Sequence, residues 1–451
     1  MKPPSAYSVG LAYAMLDGAW KHTSLLARCE VALGDRPPWL APLCRRVRRK
    51  FVERPSDART LGAFIEQHEL WREGRGHKSA PRIRTWFFPA LHMARVAGPP
   101  ADFAVPAIEN LGALAAFLAI TPAELAWFAD TARRNAAQGD ARLRHYHYRW
   151  VKKQSSGYRL LETPKPRLKG IQRMLVDRVL ACLPPSAAAH GFVRQRSVLS
   201  FVSPHVGQRV VLRLDLEDFF CSIRLPRVRA IFRRVGYPDE VAHALAALCC
   251  APTPDDVIGA EPRAPADVDG RRALALRLRS AHLPQGAPAS PALSNLVMFK
   301  LDRRLEGLAR ACNVRFTRYA DDLAFSGDQR FARGVSEFIV QVAAIVLEEG
   351  FRVRYRKTRV MRAGQRQQLA GLVLNDRVNV ARADFDTLRA LLHNAARLGP
   401  ASQNRLQLPD FRAHLAGRIA WIEATNPSRG ARLQRLFAGI DWSRDEAAPA
   451  V

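Results

Sequence analysis

A chain of 451 residues with 48% hydrophobic residues is long enough for two or three domains with filled cores. Lys and Arg number 70 against 41 Asp and Glu, a formal charge of +29 and a pI near 10.9. That excess points to a polyanionic partner, although a GC-rich genome also inflates Arg and Ala. No run of eighteen apolar residues appears, which argues against a membrane, and seven scattered cysteines without a C-x-x-C pair signal neither a zinc ribbon nor a disulfide framework. These are expected to be buried thiols in a reducing cytoplasm.

Residues 1–105 predict a helical N-terminal region. Its first twenty residues contain an apolar stretch interrupted by Asp17, without a basic leader and cleavage site, so export is not expected. The basic run Arg45, Arg46, Arg48, Arg49 and Lys50 reads either as a phosphate-binding stripe or as a solvated helix face, and Gly98-Pro99-Pro100 closes the region. Residues 106–142 predict a helix pair: leucines at helical spacing over 108–120, then Thr121-Pro122-Ala123-Glu124 as N-cap, first-turn Pro and capping Glu.

From His145 the pattern changes to period two, giving a hairpin over 145–161. Its basic and aromatic side chains suit a nucleic-acid groove, and an aromatic core face accounts for the rings equally well. A basic amphipathic helix over 167–183 follows, carrying Lys169 and Arg173. Next come a strand at 210–214, helices at 226–235 and 239–250, a loop-like insert over 251–269 and a helix opening at Ser290-Pro291. A strand, turn and strand occupy 314–326, then a helix over 331–349, a strand at 352–355, a hairpin over 368–380 and an Arg-rich helical tail over 382–437. Arg389 and Arg412 are the tail's candidates for nucleic-acid contact.

The chemistry concentrates at two strand ends. Val210-Val211-Leu212-Arg213-Leu214 delivers Asp215, and Val314-Arg315-Phe316-Thr317-Arg318-Tyr319 leads through Ala320 to Asp321 and Asp322. A carboxylate at the end of a buried strand is costly unless a cation or hydrogen bonds compensate it. Adjacent carboxylates repel one another, which a divalent ion between them relieves. An isolated Asp-Asp is most simply a solvated turn; its placement after an apolar strand, together with Asp215, favours a site. Oxygen-only ligands favour Mg²⁺, with Mn²⁺ as the alternative, over zinc. Two such ions serve in-line phosphoryl transfer.

Tyr319-Ala320-Asp321-Asp322 resembles the YADD box of bacterial reverse transcriptases, and the ten residues from Leu214 to Ile223, LDLEDFFCSI, are similar to the retron LDLxDFFxSI box. Leu283-Pro284-Gln285-Gly286-Ala287-Pro288 opens a stretch close to LPQGAPTSPxLSN. Pro164-Lys165-Pro166-Arg167 and Ala189-His190-Gly191-Phe192 match the fingers region, and Gly350-Phe351-Arg352-Val353, Lys357-Thr358 and Gly371-Leu372-Val373-Leu374-Asn375 match later boxes. The likeness covers residues 143–435 in the family's order. Two elements differ. Phe201-Val202-Ser203-Pro204-His205 stands where retrons carry Asn-Ala-x-x-His, and Leu369-Ala370-Gly371 stands for Val-Thr-Gly.

The resemblance, to retrons or to a retron-like antiphage branch, implies an α+β right hand. Fingers and palm would span 143–375 and a helical thumb 376–445. It implies RNA-directed DNA synthesis from dNTPs on an RNA template or RNA–DNA duplex, a cognate non-coding RNA, and an antiphage role with an effector protein. The different class it competes with is a nucleic-acid-binding scaffold that sequesters an effector. By resemblance Asp215 and Asp321 bridge the ions, Asp322 assists, and Leu216 offers its carbonyl. Arg159 and Lys357 are triphosphate-side cations, Phe220 is a steric gate under the sugar, and Arg196 contacts phosphate or template. Gln285 and Gly286 present a backbone that a templating base pair approaches closely.

Overall fold

The computed structural model describes residues 4–55, 57–76, 82–88, 93, 104–130, 140–153, 157–262 and 268–445. The expected Gly98-Pro99-Pro100 exit lies outside them, as does part of the 251–269 insert. The chain is mixed α and β and divides into two compact units, Met1–Pro184 with Phe220–Val297, and Pro185–Phe219 with Met298–Val451. Among the described residues no single helix is long and apolar enough to cross a membrane.

In the first unit, helices Ala6–Leu16, His22–Leu33, Leu40–Lys50, Ala58–Gln67 and Glu69–Gly76 build a core of their own around Leu11, Met15, Leu25, Leu43, Leu61 and Trp71. The basic run lies on Leu40–Lys50, whose other face buries Leu43, Cys44 and Val47. Helices Leu111–Phe117 and Pro122–Ala129 form the expected pair. At the second, Thr121 Oγ1 accepts from Glu124 N at 3.2 Å while the Glu124 carboxylate accepts from Thr121 N at 2.8 Å, a reciprocal cap.

Strands β1 (Tyr146–Lys152) and β2 (Tyr158–Pro164) pair antiparallel from Tyr146↔Pro164 to Lys152↔Tyr158. Alternation buries Tyr146 and leaves His147, Arg149 and Arg159 exposed on the other face. Helix Pro166–Arg178 follows and ends earlier than the periodicity suggested, the chain tightening into a 3₁₀ turn at Leu180–Cys182. The insert is not all loop, for Asp255–Gly259 is helical.

The second unit holds an antiparallel sheet of β3 (Val210–Asp215), β4 (Arg315–Tyr319), β5 (Asp322–Gly327) and β6 (Arg359–Arg362), in the order β4-β5-β3-β6. The strand expected at 352–355 is not in it. That stretch meets the end of β3 and the residues after it through an antiparallel bridge, Glu217 N to Arg352 O and Arg354 N to Asp215 O, both 2.8 Å. It then tightens into a 3₁₀ turn, Tyr355–Lys357, before β6. The helix expected over 331–349 is two, Gln329–Arg333 and Val335–Glu348, broken at Gly334. The late hairpin is a three-stranded ribbon, β7 (Gln368–Leu369), β8 (Leu372–Val373) and β9 (Asn379–Val380). Helices Arg382–Leu398, Phe411–Thr425 and Pro427–Ala438 share a core with this ribbon and with Val211 and Ala324 of the sheet.

Candidate active site

The apolar strand β3 is buried along its length except at Arg213, and it sets Asp215 directly opposite Asp322 of β5. Between β4 and β5 the turn is tight enough that Ala320 adopts φ +54°. Leu216 N donates to Asp321 O at 3.1 Å, tying the turn to the end of β3. The three aspartates therefore converge from two paired strand ends.

The turn is braced from beneath. Arg318 is fully buried and forms a two-pronged pair with Asp302 at 2.6 and 2.7 Å, while its Nη1 donates to Ala320 O at 3.1 Å. The segment Ala189-His190-Gly191-Phe192, matched to the fingers by sequence, lies against this turn in the second unit. Arg318 N donates to Ala188 O and His190 N to Arg318 O, both at 2.7 Å. A Cβ on Gly191 would sit 2.8 Å from Ala320 N, so only glycine fits there. His205 is wholly buried, and its two ring nitrogens reach Ser326 Oγ at 2.7 Å and Thr317 Oγ1 at 2.8 Å, tying β4 to β5. The element that differs from Asn-Ala-x-x-His thus keeps its histidine, with a structural task.

Electrostatically the site is a set of carboxylates each matched differently. Asp215 Oδ2 accepts from Lys357 Nζ at 2.9 Å. Its buried Oδ1 accepts no hydrogen bond among the described residues and lies 3.7 Å from Arg354 Nε. Asp322 is gripped by Arg213, with Nε at 2.9 Å and Nη2 at 2.8 and 2.9 Å. Burial pushes the Asp321 carboxyl up to about 6, helped by the charges of Asp322 and Asp215. Burial raises Asp322 too, against the pull of Arg213. Among the described residues no group of three or more His, Cys, Asp or Glu side chains forms a ready-made metal cage. The donors nonetheless fit a hard divalent ion: the carboxylates are oxygen ligands, one buried oxygen is unsatisfied, and the mutual repulsion that raises Asp321 is what a cation relieves.

The remaining sequence candidates fall in several places. Leu216 has a buried side chain, leaving its backbone as the polar group. Phe219 is buried against Phe351, ring centroids 6.1 Å apart, whereas Phe220 is half-buried. Gln285 O accepts from Glu162 N at 2.8 Å, and Gly286 takes φ +124° with a notional Cβ 3.3 Å from Glu162 O. The glycine is therefore required by its own backbone. Arg159 and Arg173 are exposed and Lys169 half-exposed in the first unit. Arg196 donates from Nη1 to loop carbonyls, including Ala187 O at 2.7 Å and Ser186 O at 3.2 Å, which braces the loop. Arg389 lines a cleft of about 580 Å³ with His393, Asn394, Arg432 and Arg435, and Arg412 lies over the Trp442 ring at 5.6 Å. Sequence reasoning missed Arg213, Arg318 and Arg354. For Arg213 and Arg318 the available signal was arginine within the two strands that carry the aspartates, V-V-L-R-L-D and V-R-F-T-R-Y.

A family model described as reverse transcriptase (RNA-dependent DNA polymerase) matches residues 151–383. The retron Mx65 reverse transcriptase of Myxococcus xanthus is 41% identical over 301 residues, 65% of this chain and 64% of that protein. The retron Mx162 reverse transcriptase of the same organism is 34% identical over 356 residues, covering 76% and 69%. The retron Ec86 reverse transcriptase of Escherichia coli is 29% identical over 237 residues, covering 52% and 65%. The chain thus spans a little under two thirds of the Mx65 and Ec86 proteins.

Proposed function

The chain belongs to the retron-type reverse transcriptases, and on that premise we propose that it is an RNA-directed DNA polymerase that builds DNA from dNTPs. The observation that carries this reading is the convergence of Asp215, Asp321 and Asp322 at the paired ends of β3 and β5. In the reaction, a primer hydroxyl oxygen attacks the α-phosphorus of a dNTP and the bond to pyrophosphate breaks. Asp215 and Asp321, with the Leu216 carbonyl, would hold Mg²⁺, or Mn²⁺ in its place, and Asp322 would assist. When bound, two such ions supply Lewis-acid stabilisation of the attacking and leaving oxygens. Lys357, on a flexible stem beside Asp215, is assigned to the triphosphate, with a proton at Nζ to give to the departing pyrophosphate.

The exposed basic face of the β1–β2 hairpin, with Arg159, and the helix bearing Lys169 and Arg173 are assigned to nucleic-acid phosphates. Residues 1–105 then form an additional helical region, 106–142 a helix pair, 143–375 the fingers and palm, and 376–445 the thumb. The relatives' names support a cognate non-coding RNA as template. An antiphage role with an effector protein, in the cytoplasm, completes the reading. The test is dNTP incorporation on RNA templates by the full chain, with sequencing of the nucleic acid that co-purifies. DNA complementary to a single abundant RNA is the expected product; absence of any Mg²⁺- or Mn²⁺-dependent incorporation overturns the reading.

A further inference from the structure

Resting on the cation-dependent reading above, we infer that Arg213 is a positioning residue that holds Asp322 out of the primary ligand set and thereby sets the site's divalent-cation affinity. Arg213 lies two residues before Asp215 on β3, so both side chains leave the same face of the sheet. Its register partner on β6 is another arginine, Arg359. Like charges directly opposite are unfavourable, and an acid is needed beside them. Asp322 supplies it through three contacts of 2.8–2.9 Å, with the guanidinium 34% and the carboxylate 19% exposed.

The contrast with Asp215 decides which carboxylate yields. Asp215 accepts one hydrogen bond, from the single-point ammonium of Lys357 on a four-carbon stem, while its Oδ1 has no hydrogen bond and meets Arg354 Nε only at 3.7 Å. A planar two-pronged guanidinium pair is the stronger and more directional of the two arrangements. Asp215, whose contact with Lys357 is the more easily exchanged, is therefore the carboxylate that would hold a divalent ion, while Asp322 stays paired with Arg213. Asp215 and Asp321 form the ligand set, and Asp322 acts through the charge it shares with Arg213.

The experiment titrates Mn²⁺ into the nucleic-acid-free full chain and reads bound ion by electron paramagnetic resonance, so no turnover is needed. Arg213→Gln removes a positive charge and frees Asp322, and should tighten Mn²⁺ about tenfold. Arg213→Lys keeps the charge without the fork and should fall between; it also serves if the glutamine variant is unstable. In the parent, Asp322→Asn should change affinity less than about threefold, whereas in the Arg213→Gln background it should cost about tenfold, a coupling a purely structural arginine would not produce. If the parent binds Mn²⁺ in a manner lost in Asp321→Asn but Arg213→Gln binds no more tightly, the inference fails and the polymerase reading stands. If no Asp321-dependent Mn²⁺ binding is found in the parent, both fall.

Discussion

Asp215 and Asp322 are direct cross-strand partners, yet their cations differ: Lys357 at 2.9 Å and Arg354 at 3.7 Å for the first, Arg213 for the second. Asp321 is left as the acid whose charge is least compensated, and burial together with its two neighbours lifts it to about 6. In cation-free protein its ionisation therefore works against folding. The native state holds this proton more tightly than the unfolded chain, so stability falls as pH rises from about 4 towards 6 and stays lowered above. Asp321→Asn should raise stability at pH 7.5 in the presence of chelator, by on the order of 1–3 kcal/mol, with the gain fading below about pH 4. Thermal unfolding at pH 4, 5.5 and 7.5 measures it; a gain of equal size at every pH would disconnect it from the carboxylate's charge.

The same acids should be indispensable for synthesis. Replacing Asp321 and Asp322 by Ala is expected to abolish dNTP incorporation while the unfolding transition stays cooperative, because the change removes ligands and repulsion together. Extension of a labelled primer on RNA, alongside circular dichroism melts, decides it. Undiminished Mg²⁺-dependent extension would move the active site elsewhere.

His205 offers a pH signature of the opposite kind. Burial, with Arg315 and His190 adding to it, pushes the ring down to about 3, so it stays neutral between its two hydroxyl partners. The unfolded chain takes up a proton near pH 6.5 and the native protein does not. Stability due to this ring is present above pH 6.5 and is lost progressively as pH falls towards 3. His205→Phe should lose two hydrogen bonds, costing about 1–3 kcal/mol at pH 7.5, and should show a shallower decline between pH 6.5 and 4.5. Chemical denaturation across that range is the measurement, and parallel declines in parent and variant would refute the assignment.

The strand ends were legible in sequence because an apolar, β-branched run closed by an acid has few structural explanations, and the reciprocal Thr121–Glu124 cap because all its parts lie within four residues. Partner choice was not. Arg213 and Asp322 are 109 residues apart and meet only through the β3–β5 register, and Arg318 finds Asp302 on a helix. His205 was obscured because its neighbours differ from the family element, although packing needs only the ring. The stretch 352–355 looked like a strand by composition, and its pairing is confined to a single antiparallel bridge, Leu216 with Val353, at the end of β3.

On the C-terminal helices, three arginines share one cleft: Arg389, Arg432 and Arg435, with His393 and Asn394. Arg389 also lies 3.5 Å from Asp386, which tempers its charge. If the cleft takes nucleic-acid phosphate, neutralising all three to Gln should weaken RNA binding and reduce the log–log salt slope by up to roughly three units. Filter binding from 50 to 300 mM salt gives the slope, and an unchanged value would make the cleft a solvated surface.

By resemblance Phe220 is the candidate for sugar selection, and Phe219 beside it is the competing ring; they follow Asp215 by five and four positions. Both lie in the short helix Phe219–Ser222, so successive rings diverge by about 100° and face different surroundings. Phe219 is 4% exposed and packs on Phe351, the behaviour of a core ring. Phe220 is half-buried, and the resemblance would place it under the incoming sugar, where a 2′-hydroxyl would collide with the ring. Phe220→Val should therefore admit ribonucleotides, since steric exclusion of about 1–3 kcal/mol corresponds to roughly ten- to two-hundred-fold discrimination. Phe219→Val should instead lower the melting temperature, through a cavity cost of about 1–3 kcal/mol, and leave selectivity alone. Comparing rNTP with dNTP incorporation for both variants below the melting point of the weaker one separates the two effects. Loss of selectivity in Phe219→Val with Phe220→Val unchanged would exchange the roles of the two rings.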